Sequence, residues 1–142
     1  SPCGVTVEES WKAILSGQSG IAAITEFDTS EYPTKFAGLV TEFDLETYMS
    51  VKDARKMDPF IQYGMVSAIQ AVEQSGLMDL TFDPTRVGVS IGSGIGGLTL
   101  IENTTLLLNE RGPRKVSTFF VPGSIINMIA GNLAIKYGFQ GA

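Results

Sequence analysis

The residues in this 142-residue chain whose types and spacing suit chemistry fall in two places. One is the glycine-dense stretch Gly92-Ser93-Gly94-Ile95-Gly96-Gly97; the other is a set of cations, Lys52, Arg55 and Lys56, joined later by Arg114 and Lys115. Glycines let a backbone turn sharply and let another group approach it closely. The stretch satisfies G-x-G-x-x-G, the pattern by which a helix N-terminus receives a dinucleotide pyrophosphate. Its surroundings oppose that chemistry. The segment after it runs into Arg111-Gly112-Pro113-Arg114-Lys115 rather than into a second apolar strand ending in an acid. The strand before it also lies far along the chain, away from the start of a βαβ unit. No G-K-[ST] follows, so a phosphate loop is not indicated either. Two readings stand ahead of the dinucleotide site, which NAD titration would test: a tight strand-to-helix crossover, and a substrate-facing turn in which Ile95 presents its side chain to a pocket.

The cations admit a similar pair of readings. Ser50 suits a helix N-cap, and Lys52, Arg55 and Lys56 then stand at i, i+3 and i+4, on one face. Asp53 is expected to point elsewhere on the wheel. Such a cluster is ordinarily a solvated helix face. In a chain of net charge −5 it also suits docking of an acidic partner.

Composition removes several classes of function. There is no histidine, so the usual general base and the commonest metal ligand are missing, and Ser-His or Cys-His nucleophile systems and ordinary zinc sites are excluded within these residues. The single cysteine, Cys3, gives no intrachain disulfide framework and fits a reducing, cytoplasmic setting. The negative charge argues against nucleic acid as a partner. Hydrophobic residues at 44% and charged residues at 18% describe a folded domain. No apolar run reaches the roughly 18 residues of a membrane span, and the first residues carry no basic-then-apolar signal pattern.

The elements that position these residues are legible from caps and periodicity. Thr6-Val7-Glu8-Glu9 is a capping box opening a helix that Gly17 stops. Val7, Trp11, Ile14 and Leu15 share one face of it, and Trp11 is expected in the core. Ser19 to Tyr32 reads as irregular, with a turn at Phe27-Asp28. Lys35 to Val40 is a short strand and Phe43 to Tyr48 a single helical turn. Asp58 and Pro59 start a helix, as N-cap and N1, that ends at Ser75 before Gly76. Asp83-Pro84-Thr85-Arg86 is a turn into an alternating strand, Val87-Gly88-Val89-Ser90-Ile91. Leu98 to Glu110 is a helix, Phe119 to Pro122 an apolar link, and Ser124 to Tyr137 a last helix stopped by Gly138. That helix is apolar almost all round, which predicts burial in a larger core or under a subunit interface. Both ends read as cut, so the chain is expected to be part of a larger protein.

Three stretches, VGVSIGSGIGGL, GPRKVSTFFVP and IINMIAGNLAIKYGFQG, together resemble the β-ketoacyl-acyl-carrier-protein synthases, most closely the elongating type, synthase II, of dissociated fatty-acid synthesis. The opening SPCGVTVEESWKAILSGQSGI and the middle ARKMDPFIQYGMVSAIQAVEQSGL fit the same family, so the resemblance covers essentially residues 1–142. It implies an α/β protein of thiolase-like fold, layered α/β/α/β/α, built from two similar halves and homodimeric. This chain would be the N-terminal segment of the first half, without the family's first strand and stopping before the strand that leads to the nucleophilic cysteine. Cys3 lacks that cysteine's T-A-C context, and the catalytic histidines come later, so no catalytic residue is assigned here.

The implied activity is that of an acyltransferase, a 3-oxoacyl-acyl-carrier-protein synthase performing a decarboxylative Claisen condensation with malonyl thioester. It needs no metal or nucleotide cofactor, the substrates riding on the phosphopantetheine of acyl carrier protein. By position, Ile95 matches the family's gate between cysteine and acyl pocket. Phe120 and Ser124 match residues lining that pocket, with Ser124 reaching across the dimer. Lys52, Arg55, Lys56, Arg114 and Lys115 match the surface that receives the acidic carrier. An alternative within the same fold is a non-catalytic, chain-length-type partner subunit of a polyketide system.

Overall fold

A computed structural model describes residues 1–40 and 44–142. The described residues form two compact units, Ser1–Asp44 and Leu45–Ala142. The single turn expected from Phe43 begins outside the described residues; its later part forms, with the N–H groups of Tyr48 and Met49 both donating to the Leu45 carbonyl at 3.0 Å.

In the first unit, α1 spans Val7–Leu15. Its start follows from the capping box: Thr6 Oγ1 accepts from the Glu9 N–H at 3.2 Å, and Glu9 Oε2 accepts from the Thr6 N–H at 3.1 Å. Those bonds to Thr6 and Val5 N–H groups hold the Glu9 carboxyl below its ordinary value. Two short strands, β1 (Ile21–Ala23) and β2 (Phe36–Gly38), pair antiparallel with Ala22 opposite Ala37. β1 lies in a stretch whose sequence reads as irregular, because three residues of Ile-Ala-Ala carry no alternation to read. Trp11 is a correction. It is 59% exposed, and Ala13 is the only buried residue of α1. No large side chain is buried among the described residues of this unit, so the Val7–Trp11–Leu15 face has nothing there to pack against.

The second unit is built on α3 (Pro59–Ser75) crossing α6 (Met128–Tyr137). Ile61, Met65 and Ile69, four residues apart, make one stripe of α3, and Ile129 and Leu133 make the facing stripe of α6. Ile61 is fully buried. Gly64 lets the two helices close, since a Cβ there would lie 2.6 Å from Ile129 Cδ1. The short α2 (Val51–Ala54) precedes α3, while α4 (Leu98–Arg111) and α5 (Phe120–Ser124) lie between α3 and α6 in sequence.

Three expectations for this unit need correction. Val87–Ile91 forms no strand among the described residues, although its alternation is real: Val89 and Ile91 pack against the core while Gly88 and Ser90 are exposed. A strand also needs a ladder partner, and the backbone bonds here are both at Val87: its N–H donates to the Pro84 carbonyl at 3.3 Å and its carbonyl accepts from the Gly141 N–H at 2.9 Å. The apolar link at Phe119–Pro122 runs into the helical turn α5. The last helix then starts at Met128 rather than Ser124, because Ile125 is extended (ψ 144°). The Ser124 carbonyl, which would have bonded the Met128 N–H in a continuous helix, accepts instead from the Gly97 N–H at 2.8 Å. The resulting α6 is buried on one side only; Ile135 stands 78% exposed.

None of the described helices is long and apolar enough to cross a membrane. The α3–α6 contact yields a test. Alanine at position 64 would raise helix propensity by about 1 kcal/mol, whereas overpacking a filled core costs about 1–3 kcal/mol. Gly64→Ala in the intact protein is therefore expected to lower unfolding free energy by about 1 kcal/mol, and to become neutral or stabilising in an Ile129→Ala background. A urea-unfolding double-mutant cycle measures this; equal effects in both backgrounds would remove Gly64 from the contact.

Candidate functional site

The helix that follows the glycine stretch is held to the start of α3 through the side chain of Asp58. Asp58 is 4% exposed. Its Oδ1 accepts from the Phe60 N–H at 3.1 Å, capping α3. Its Oδ2 accepts from the Leu100 N–H at 2.7 Å, in the first turn of α4. The residue at the N-cap of α4 is Gly97, which has no side chain to offer. Asp58 supplies the missing cap from 42 positions away, satisfying a donor that helix geometry leaves unpaired. Its own N–H donates to the Gly123 carbonyl at 3.1 Å, tying in α5. One buried carboxylate thus serves two helix N-termini, where the aligned peptide dipoles favour negative charge.

The turn that carries Ile95 is fixed immediately downstream of it. The Gly96 N–H donates to Ser93 Oγ at 3.2 Å. Gly96 has φ +92°, a conformation that side-chain-bearing residues rarely adopt. At Gly97 the crossing is as close as glycine permits: a Cβ would lie 2.7 Å from Ser124 Cα and 3.2 Å from Asp58 Cβ. Gly96 in turn faces the Ser124 carbonyl and Ile126. Sequence positions 95 and 124 are therefore brought together through the adjoining backbone. Ile95 itself points outward, 69% exposed. Ser124 is buried, its Oγ donating to the Val121 carbonyl at 3.2 Å. Phe120 opens α5, one helical turn before Ser124, and is half-buried. The structure thus brings the backbone next to Ile95 against Ser124 and places Phe120 on the same short helix as Ser124, while none of the three lines a described concavity.

A concavity of about 540 Å³ in this unit lies elsewhere, between Tyr48–Ser50, Met57, Met65 and the residues Asn132, Ile135 and Lys136 of α6. None of Ile95, Phe120 and Ser124 lines it. Among the described residues no three acidic, cysteine or histidine side chains converge as a metal site would require.

The cations behave unevenly. α2 is capped by Ser50, whose Oγ accepts from the Asp53 N–H at 3.1 Å. Lys52 and Arg55 are exposed. Asp53, expected to point away, instead reaches Lys56: Lys56 Nζ lies 2.7 Å from Asp53 Oδ1, three residues along the helix. This bond first, and the Ser50 hydroxyl second, hold the Asp53 carboxyl below its ordinary 3.8. Lys56 Nζ also sits 5.4 Å from the centre of the Phe119 ring. The Lys56 carbonyl meanwhile abuts Gly123, where a Cβ would come within 2.5 Å of it. The end of α2 thus meets the segment Phe119–Gly123, four residues beyond Lys115. Arg114 and Lys115 are exposed in a 3₁₀ turn (Pro113–Lys115) ahead of α5. Beside Arg55 lies a small apolar cleft of about 240 Å³ floored by Leu45, Met49, Val51 and Ala54.

Comparison with known proteins places the geometry in a family. Residues 1–142 match the family model described as Beta-ketoacyl synthase, N-terminal domain. The 3-oxoacyl-[acyl-carrier-protein] synthase 2 of Vibrio cholerae is 62% identical over 141 residues, 99% of this chain and 34% of that protein. The protein of the same name from Coxiella burnetii is 48% identical over the same shares. The chain spans about a third of the length of the curated relatives it matches. A solved structure of the ishigamide ketosynthase/chain length factor superposes with TM-score 0.82 at 21% identity, covering 99% of this chain and 36% of that one, a likeness of fold alone. A type II polyketide synthase ketosynthase, solved in complex with its acyl-carrier protein, superposes with TM-score 0.66 at 28% identity over 72% of this chain and 30% of that one.

The Asp53–Lys56 bond gives a pH dependence of definite sign. The unfolded carboxyl titrates near 3.8 and the folded one lower, so the bond supports α2 above 3.8 and is lost as pH falls through the folded value. Acid titration of the Asp53 carboxyl carbon by NMR should give a midpoint below 3.8, and Lys56→Met should move it up toward that value. A midpoint unmoved by Lys56→Met would leave the pair without energetic content.

Proposed function

Because the chain belongs to the β-ketoacyl synthase family, as its N-terminal domain, we propose that it is a segment of an elongating 3-oxoacyl-acyl-carrier-protein synthase and supplies two parts of that enzyme. One is a wall of the acyl pocket, from Ile95, Phe120 and Ser124. The other is a carrier-docking face, from Lys52, Arg55, Lys56, Arg114 and Lys115. The observation that carries the reading is 62% identity over 99% of the chain to a protein of that activity. The segment's own geometry supports it, since Lys56 of the second part meets, at the Phe119 ring and Gly123, the stretch that carries Phe120 and Ser124 of the first.

In the proposed reaction an acyl group passes from the carrier's thioester to an enzyme thiol, releasing the carrier thiol. A malonyl thioester then loses carbon dioxide, and the electron pair left on its α-carbon attacks the acyl-enzyme carbonyl. A carbon–carbon bond forms, and the enzyme thiolate leaves. The thiol and the donors that stabilise the oxyanion belong to the part of the synthase outside these residues, since this chain holds only Cys3 and no histidine. No metal or nucleotide takes part in these steps.

What this chain's residues do is bind and orient. The aliphatic Ile95 and aromatic Phe120 accept the alkyl chain, and burial of each methylene contributes about 0.8 kcal/mol. The cations draw in an acidic carrier and set its register, with charge complementarity acting mainly on encounter rate. The proposed enzyme is a cytoplasmic homodimer with Ser124 reaching toward the partner subunit. The reading as a non-catalytic chain-length subunit is not favoured, since the highly identical relatives carry the synthase name.

Two substitutions in the intact synthase test the two parts separately. Replacing Lys52, Arg55 and Lys56 together by Glu is expected to weaken carrier binding by about tenfold or more at low salt, without loss of fold. An unchanged carrier affinity by calorimetric titration would remove the docking role. Ile95→Trp is expected to shift activity toward shorter acyl chains while carrier affinity holds, because the ring obstructs the pocket. An unaltered chain-length profile would take Ile95 out of the site.

A further inference from the structure

We infer that Asp58 is a positioning residue for acyl-chain selection: its carboxylate fixes the Ile95 turn by capping α4 from outside. The inference rests on the reading of Ile95 as part of the acyl pocket. Asp58 is one of two buried polar or charged side chains among the described residues, and it contacts nothing that the proposed reaction transforms. Each of its polar contacts is to backbone: the Phe60 N–H at 3.1 Å, the Leu100 N–H at 2.7 Å, and its own N–H to the Gly123 carbonyl at 3.1 Å. The 2.7 Å bond falls in the range of charge-assisted hydrogen bonds.

The path from Asp58 to Ile95 is short and fully specified. Leu100 stands in the first turn of α4, whose N-cap Gly97 brings no oxygen of its own. Asp58 Cβ flanks Gly97, and the Gly97 N–H is held by the Ser124 carbonyl at 2.8 Å. Gly96 is anchored on Ser93, so Ile95 is the single side chain of the Gly94–Gly97 stretch and its direction is set by these anchors. Leu100 adds a second link, since its Cδ2 lies against Gly123 of α5, which also carries Phe120 and Ser124. Loosening the cap frees the start of α4, and with it the hinge on which Ile95 turns. Substrate-positioning geometry is sensitive to displacements of this kind.

The experiment uses Asp58→Asn in the full-length synthase. The variant has nearly the same shape, but its amide nitrogen cannot accept from an N–H, so one of the two helix caps is lost. The ratio of kcat/KM for a long against a short acyl-carrier substrate is expected to change between about two- and thirtyfold, with carrier affinity unchanged and faster amide exchange at Leu100. A lowered melting temperature with an unchanged ratio would overturn the inference and leave Asp58 a stabilising residue only. Ile95→Trp, run in parallel, separates the two claims. If it shifts the profile and Asp58→Asn does not, the inference alone fails; if neither shifts it, the pocket reading fails and takes the inference with it. Hydrogen exchange in the unaltered protein needs no variant: the Leu100 amide should exchange more slowly than that of Thr99, and equally fast exchange at both would contradict the cap.

Discussion

A single buried carboxylate shared between two helix N-termini is the constraint from which the rest of the second unit follows. Moving a carboxylate out of water is costly unless its oxygens find donors, and Asp58 finds them on α3 and α4. The arrangement dictates its neighbours. Gly97 must be small because Ser124 and Asp58 press on it, and Gly123 must be small because the Lys56 carbonyl and Leu100 press on it. The Ser124 carbonyl is used by Gly97, so the helix cannot run on through Ile125, and α6 begins afresh at Met128. The apolar stripe of α6 then lands on Ile61, Met65 and Ile69 of α3, the helix that Asp58 itself opens.

The same junction relates the two proposed surfaces through Lys56. Lys56 stands two residues before Asp58 and makes three different contacts: an ion pair with Asp53, an approach to the Phe119 ring, and a backbone contact at Gly123. The exposed pair at 2.7 Å contributes little to stability, as surface ion pairs generally do. Its consequence is geometric, since it fixes Lys56 on the α2 face. Half of the chain's ten cations are Lys52, Arg55, Lys56, Arg114 and Lys115, although the chain as a whole is acidic by five charges. Charge segregation of that kind shapes encounter with an acidic surface more than it shapes the fold.

How much of this the sequence disclosed depends on the range of each interaction. Local caps were legible: the Thr6 box, Ser50, Asp58 with Pro59, and the glycines after α1, α3 and α6 all stand where the residue types place them. The core stripe of α3 was legible from its four-residue spacing. The alternation of Val87–Ile91 correctly gave the inward side chains, and only the ladder was missing, because pairing is a property of two segments. Trp11 misled for the same reason: a helical face records a preference for burial, not the presence of a surface to bury it. Asp53 was misplaced because it was set against its sequence neighbour Lys52, whereas it stands at i, i+3 to Lys56, a spacing that makes the two side chains neighbours on a helix. The second role of Asp58 had no signal at all, since nothing in Asp-Pro announces an acceptor for an amide 42 residues on. The proposed pocket and docking residues were read from family resemblance; the geometry adds that Lys56 meets the segment carrying Phe120 and Ser124.

The account's central claim is that Ile95, Phe120 and Ser124 wall the acyl chain while the α2 and Arg114–Lys115 cations seat its carrier. A crystal structure of the intact synthase trapped covalently with an acyl-loaded carrier protein tests it most directly. The account predicts alkyl carbons in van der Waals contact with all three wall residues, and acidic carrier side chains over Lys52, Arg55 and Arg114. An alkyl chain lodged away from the Ile95 turn, or a carrier seated on another face, would contradict it.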